Sequence, residues 1–169
     1  MIRNRFMRNR LLTRRRILSA SNKYQPGEFG YWWTVELGNE DIEGKAYRGN
    51  IECYDCDLTS LKGAPKYVDG DFWCSNNHLT SLEGAPEEVG RNFICAYNEI
   101  TSLKGAPEYV GWRFDCAYCN NLTSLESAPR KIGERFYCDG CPNLSKREII
   151  SLRDYCDIKG KIKSNYGLF

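Results

Sequence analysis

Residues 72–90 read FWCSNNHLTSLEGAPEEVG, and residues 93–111 read FICAYNEITSLKGAPEYVG. The two stretches share Phe, Cys, Asn, Thr-Ser-Leu, Gly-Ala-Pro and Val-Gly at the same offsets. The pattern continues outward in both directions. Phe72, Phe93, Phe114 and Phe136 recur at spacings of 21, 21 and 22 residues. Leu58, Leu79, Ile100, Leu122 and Leu144 follow the same beat, as do Leu61, Leu82, Leu103 and Leu125, then Pro65, Pro86, Pro107 and Pro129, then Val68, Val89, Val110 and Ile132. A fixed period of this length means stacked structural units, each exposing an apolar edge that only its neighbour can cover.

Strand side chains alternate between the two faces. With Phe72 and Cys74 inward, Trp73 and Ser75 point away from the core. Asn77 and Leu79 then turn inward at the end of the strand, and Gly-Ala-Pro closes the turn because Pro lacks an N–H and resists helix continuation. This layout fits the pattern L-x-x-L-x-L-x-x-N/C-x-L. Over residues 51–144 the chain resembles the short leucine-rich-repeat proteins of bacteria, and more closely those encoded by bacteriophages, which share the L-T-S-L-x-G-A-P turn. It departs from them in using Phe and Cys where many members use Leu or Val. The resemblance implies a repeat solenoid: five repeat strands in one parallel sheet, with turns or 3-10 segments on the convex side; the ubiquitin-ligase domain attached to some bacterial members is not expected here.

Nine cysteines include three C-x-x-C pairs, Cys53/Cys56, Cys116/Cys119 and Cys138/Cys141. The spacing of the last two pairs is one that zinc sites use. The repeat register offers another account. Cys53, Cys74, Cys95, Cys116 and Cys138 share one inward position, and Cys is small and readily buried. Cys56, Cys119 and Cys141 stand where other units place Asn77 and Asn98, a site that serves the backbone amides of the adjoining turn. Core columns are the preferred reading, with no metal. A zinc ion held by Cys116, Cys119, Cys138 and Cys141, or a disulfide, is the alternative.

The ends must cap the stack. Residues 24–50 are read as an N-terminal β cap, with a strand over Tyr31–Leu37, a turn at Gly38–Asp41, a second strand from Lys45 into Ile51, and Trp32 and Trp33 covering the open core. Residues 145–169 are read as a C-terminal capping helix and tail. Ser145 with Glu148 forms a capping box, Ile149, Ile150, Leu152 and Tyr155 follow at helical spacing, and the tail runs from Gly160. Residues 1–23 carry a charge of +8 without one acid, against −9 for residues 24–144 and +3 for residues 145–169. This basic arm is expected to be helical over residues 5–18. It is read as a solvated arm or, through Arg3, Arg5, Arg8, Arg10, Arg14, Arg15 and Arg16, as a phosphate contact. Docking onto the acidic body, a partner protein or an anionic membrane are further readings of it.

Catalysis finds little material. His78, the one histidine, sits in a turn position that other units fill with Asp57, Glu99 and Asn121. Neither a phosphate-cradling loop nor a dinucleotide fingerprint is present, so no enzyme and no cofactor are expected. No run reaches the roughly 18 apolar residues of a membrane span, and the basic N-terminus lacks the apolar stretch of an export signal. The expected location is therefore cytoplasmic, in the host if the chain is phage-encoded. The outward strand sites say more. Trp73, Ile94 and Tyr137 share one column, Tyr97 and Tyr118 another, and Trp112, Arg113 and Arg135 flank them. Exposed aromatics ringed by charge mark binding surfaces. The expected function is protein binding through this concave aromatic face, and at about 4.8 Å per strand it spans some 20–25 Å. The alternative is a nucleic-acid-associated protein working through the basic arm.

Overall fold

The computed structural model describes residues 23–169; the basic arm, its expected helix and its seven arginines lie outside the described residues. The chain winds into a solenoid of stacked parallel strands with few helices. Two sheets form it. The larger contains β2 (Ile51–Glu52), β4 (Phe72–Trp73), β6 (Phe93–Ile94), β8 (Arg113–Asp115), β10 (Arg135–Cys138), β12 (Ile162–Ser164) and β13 (Gly167–Leu168). The smaller contains β1 (Ala46–Tyr47), β3 (Tyr67–Val68), β5 (Glu88–Val89), β7 (Tyr109–Val110), β9 (Lys131–Ile132) and β11 (Asp157–Ile158). All pairings are parallel except the closing hairpin β12–β13.

The register follows the repeat. Phe72 lies beside Phe93, Phe93 beside Phe114 and Phe114 beside Phe136. Their buried rings stack through the core with centroids 5.6, 5.4 and 5.3 Å apart. The leucine, valine and first cysteine columns are buried with them. The smaller sheet occupies the side where turns or 3-10 segments were expected. The Val-Gly end of each repeat is extended, its Val inward, and it pairs with its counterpart one rung away, as in Gly90 N–H to the Val68 carbonyl at 2.8 Å. Glycine makes the corner between the two sheets possible, since a Cβ at Gly111 would run into the Gly90 carbonyl.

Both ends differ from the sequence expectation. Residues 31–37 are helical, not a strand: an α-turn over Phe29–Tyr31 runs into a π-helical turn over Trp32–Glu36. The reason is spacing. Phe29, Trp32 and Trp33 stand at i, i+3 and i+4, which a helix brings to one face, whereas a strand would send the two tryptophans to opposite faces. All three rings pack together over the first rung, Phe29 lying 6.0 Å from Phe72 and Trp33 5.5 Å from Tyr47. Phe29 and Gly30 also donate their N–H groups to the Ser60 and Lys62 carbonyls, so the helix grows out of the first rung's edge.

At the other end Ser145 caps the helix Lys146–Ser151 by accepting from the Glu148 N–H. The Glu148 carboxylate reaches the Leu125 N–H at 3.0 Å, so it ties the helix to the preceding unit. The residues beyond are no tail. β11 and β12 add another rung to each sheet, and the larger sheet has seven strands where five repeat strands were expected. Cys156 is buried just after the 3-10 turn Leu152–Asp154. The Arg153 guanidinium donates to the carbonyls of Ile158, Gly160 and Phe169, occupying acceptors that an open last rung would expose.

Candidate functional site

The outer face of the larger sheet is built from residues that the inward columns leave over. Directly after the phenylalanine column runs Glu52, Trp73, Ile94, Asp115, Tyr137 and Lys163, each beside the next in register. Directly before it lie Arg113, Arg135 and Lys161 in the last three rungs. Past the inward cysteines, Ala96 and Ala117 also point outward, yet are 7% and 6% exposed. They form a low floor between longer neighbours.

Trp73, Ile94, Arg113 and Tyr137 are half-buried, while Tyr97, Trp112, Tyr118 and Arg135 are exposed. The structure gathers them in two groups. Tyr97 and Tyr118 stack nearly parallel at 4.7 Å. Around Tyr137, the Arg113 guanidinium lies 5.4 Å from the ring and the Lys163 ammonium 5.7 Å, and the Arg135 guanidinium donates to the Tyr137 hydroxyl at 3.3 Å. Trp73 keeps company with Tyr54 at 6.4 Å rather than with either group. Arg91 covers Trp112 at 5.0 Å on the flank. Cations over ring faces gain about 0.5–1 kcal/mol each at exposed sites.

Backbone strain coincides with the first group. Asp55, Asn76, Tyr97, Tyr118 and Gly140 share one position per rung, and all five have positive φ, between 54° and 71°. Gly is free there and Asp and Asn tolerate it, but a bulky Tyr is an outlier. Two tyrosines thus hold a conformation that suits neither, and the two residues are 55% and 46% exposed. Gly140 is required beside them, because a Cβ there would strike the Tyr118 ring.

Beneath the face, the Asn/Cys column stitches rung to rung. Asn77 accepts from the Cys56 and Leu58 N–H groups and donates to the Cys53 and Cys74 carbonyls. Asn98 repeats the arrangement with Leu79, Cys74 and Cys95. At the same site the thiols of Cys119 and Cys141 donate to the Cys95 and Cys116 carbonyls at 3.5 and 3.2 Å. Burial pushes Cys119 up to about 12 and Cys141 up to about 11, with facing backbone amides pulling the other way. These groups act as thiols, not thiolates. None of the nine cysteines is disulfide-bonded, and among the described residues no cluster of three or more His, Cys, Asp or Glu is arranged to hold a metal ion.

Asp115 is held by the Ala117 N–H at 3.0 Å and lies 3.8 Å from Arg113. Burial raises its pKa, and those two contacts oppose the rise. His78 is exposed and faces Glu99 at 3.0 Å and Asp57 at 3.9 Å on the neighbouring rungs. Sequence reasoning missed Lys161 and Lys163, which joined the face only when the presumed tail proved to be a rung. It also missed the strained column, although Asp55, Asn76 and Gly140 at matching offsets carried that signal.

Compared with protein families, curated proteins and solved structures, the chain matches none. Its function is therefore read from this geometry. Among the described residues, no helix is long and apolar enough to cross a membrane.

Proposed function

We propose that the chain is a protein-binding module of the short leucine-rich-repeat kind, of bacterial or bacteriophage origin, acting in the cytoplasm without enzymatic activity. The observation that carries this reading is the Tyr97–Tyr118 pair. Two large rings stand in solvent on backbone that disfavours them, at a cost on the order of 1 kcal/mol or more each. A purely structural role would be met by Asn or Gly, as at Asn76 and Gly140. Aromatic groups at the centre of an interface often carry about 2 kcal/mol or more each. Arg113 and Arg135 then serve as a polar rim that sets the partner's orientation. The buried, protonated thiols and the surface placement of His78 support the non-enzymatic reading.

Affinity capture on the wild-type chain and on the Trp73→Ala/Tyr97→Ala variant, each with and without nuclease, tests this. The reading expects a nuclease-resistant partner that the variant fails to retain. A partner lost on nuclease treatment supports the second reading, in which the arm of residues 1–23, eight basic groups without an acid, contacts nucleic acid. That reading expects binding to fall steeply with salt and to vanish when residues 1–23 are removed.

A further inference from the structure

The outer face of the larger sheet has a direction. Residues 24–95 contain 13 acidic and 5 basic residues, whereas residues 96–169 contain 9 and 11. On the face itself the first rung presents exposed Glu52 and Asp55, and the last rungs present Arg135 and Lys161 together with Arg113 and Lys163, which lie 3.8 and 3.0 Å from Asp115 and Asp139. Arg113 and Arg135 are register partners across β8 and β10, and Lys161 stands at the matching position directly before β12. Like charges in adjacent strand positions repel, and among the described residues neither Arg135 nor Lys161 forms an ion pair that relieves this. The middle of the face is apolar, with Trp73, Ile94 and the low alanine floor.

We propose that this face pairs with a second copy of this chain, face to face and antiparallel about a two-fold axis through its centre. The column after the phenylalanines is complementary to its own reversal. Turned end for end, Glu52 meets Lys163 and Trp73 meets Tyr137, while Ile94 covers the half-buried Asp115. The axis runs along the strands, so the rotation reverses the order of the rungs and keeps each residue's place along its strand: the Arg113–Arg135–Lys161 ladder meets Asn92, Asp71 and Asn50. There Asp71 supplies counter-charge, and on the other side of the column Ala96 meets Ala117 and Tyr97 meets Tyr118. A two-fold interface requires this self-complementarity. Six rungs at about 4.8 Å, crossed by seven residues at about 3.3 Å, give a footprint of roughly 600 Å² per copy. The two copies together then bury about 1,200 Å², the lower end of specific interfaces. The dimer is therefore a concentration-dependent one.

The inference rests on the face being a binding surface, and it names the partner. The test is the mass of the full chain across a concentration series by analytical ultracentrifugation, for wild type, Glu52→Lys and Lys163→Glu, each checked for unchanged unfolding. Wild type is expected to move from monomer to dimer and to weaken with salt. Each single reversal places like charges opposite one another twice and is expected to raise the dissociation constant by about tenfold or more. Mixing the two variants restores both contacts, so the mixture is expected to form a heterodimer where neither variant dimerises alone. A wild-type chain that stays monomeric overturns the proposal, and so does a dimer indifferent to both reversals or a mixture that fails to associate. A monomer that still captures another protein through Trp73 and Tyr97 overturns only the choice of partner, whereas one that captures nothing overturns the binding face as well.

Discussion

The inward and outward columns of the larger sheet sit on the same strands and obey opposite rules. Inward, Phe72, Phe93, Phe114 and Phe136 are identical, and so are Cys74, Cys95, Cys116 and Cys138, which follow two residues later, with Cys53 after Ile51 in the first rung. Outward, Glu52, Trp73, Ile94, Asp115, Tyr137 and Lys163 are all different. The middle rungs offer the inward side chain the same environment, with Phe93 and Phe114 each between rings at 5.3–5.6 Å, so one residue type answers there. The outward side chain has no such neighbour to satisfy. Uniformity within the stack marks what folding demands, and variety marks where recognition is free to act.

Breaking the inward side is expected to produce the largest effect. Phe93→Ala removes a ring stacked on both faces and should destabilise the chain by about 3–5 kcal/mol in chemical denaturation, with the cavity adding to the lost transfer energy. A loss below about 1 kcal/mol would place Phe93 outside a well-packed core. Next comes the seam between rungs. Asn77→Ala removes the acceptor of the Cys56 and Leu58 amides and the side-chain donor to the Cys53 carbonyl, while the Cys74 carbonyl keeps Asn98. It should cost about 1–3 kcal/mol, and hydrogen exchange at the Cys56 and Leu58 amides should rise.

The outward side is expected to respond weakly in stability. Tyr97→Gly relieves positive-φ strain but loses the ring stack with Tyr118, two terms of about 1 kcal/mol each and opposite sign. The unfolding midpoint should therefore shift little. A loss above about 2 kcal/mol would show that the tyrosine pair holds the sheet together and is not held by it. Removal of metal sharpens the cysteine columns in the same way. A chelator should leave unfolding unchanged, and elemental analysis should find no zinc; one zinc per chain would turn the last two C-x-x-C pairs into ligands.

The sequence made the inward columns legible because each prediction was repeated rung after rung, and a single misplaced residue could not shift the register. The ends had no such redundancy. Ile162 follows Phe136 in the core column after 26 residues instead of 21 or 22, because a helix is inserted, and Ser164 replaces the Cys that marks every earlier unit. Trp32 and Trp33 looked like a strand when Phe29 was left out of the pattern. The second sheet was hidden because two-residue strands carry no alternation to read. On the candidate face, strand parity was enough to turn Trp73, Ile94 and Tyr137 outward. Their pairing with Arg113, Arg135 and Lys163 depends on the rung that the sequence did not announce.

The central claim is that the outer face binds while the inner columns fold. It is tested most directly by the affinity of the Trp73→Ala/Tyr97→Ala variant for the protein that the wild-type chain captures, or for its own copy, measured beside its unfolding free energy. The account predicts stability within about 1 kcal/mol of wild type and a loss of affinity of about 100-fold or more. Unchanged affinity, or a collapse in stability like that expected of Phe93→Ala, would contradict it.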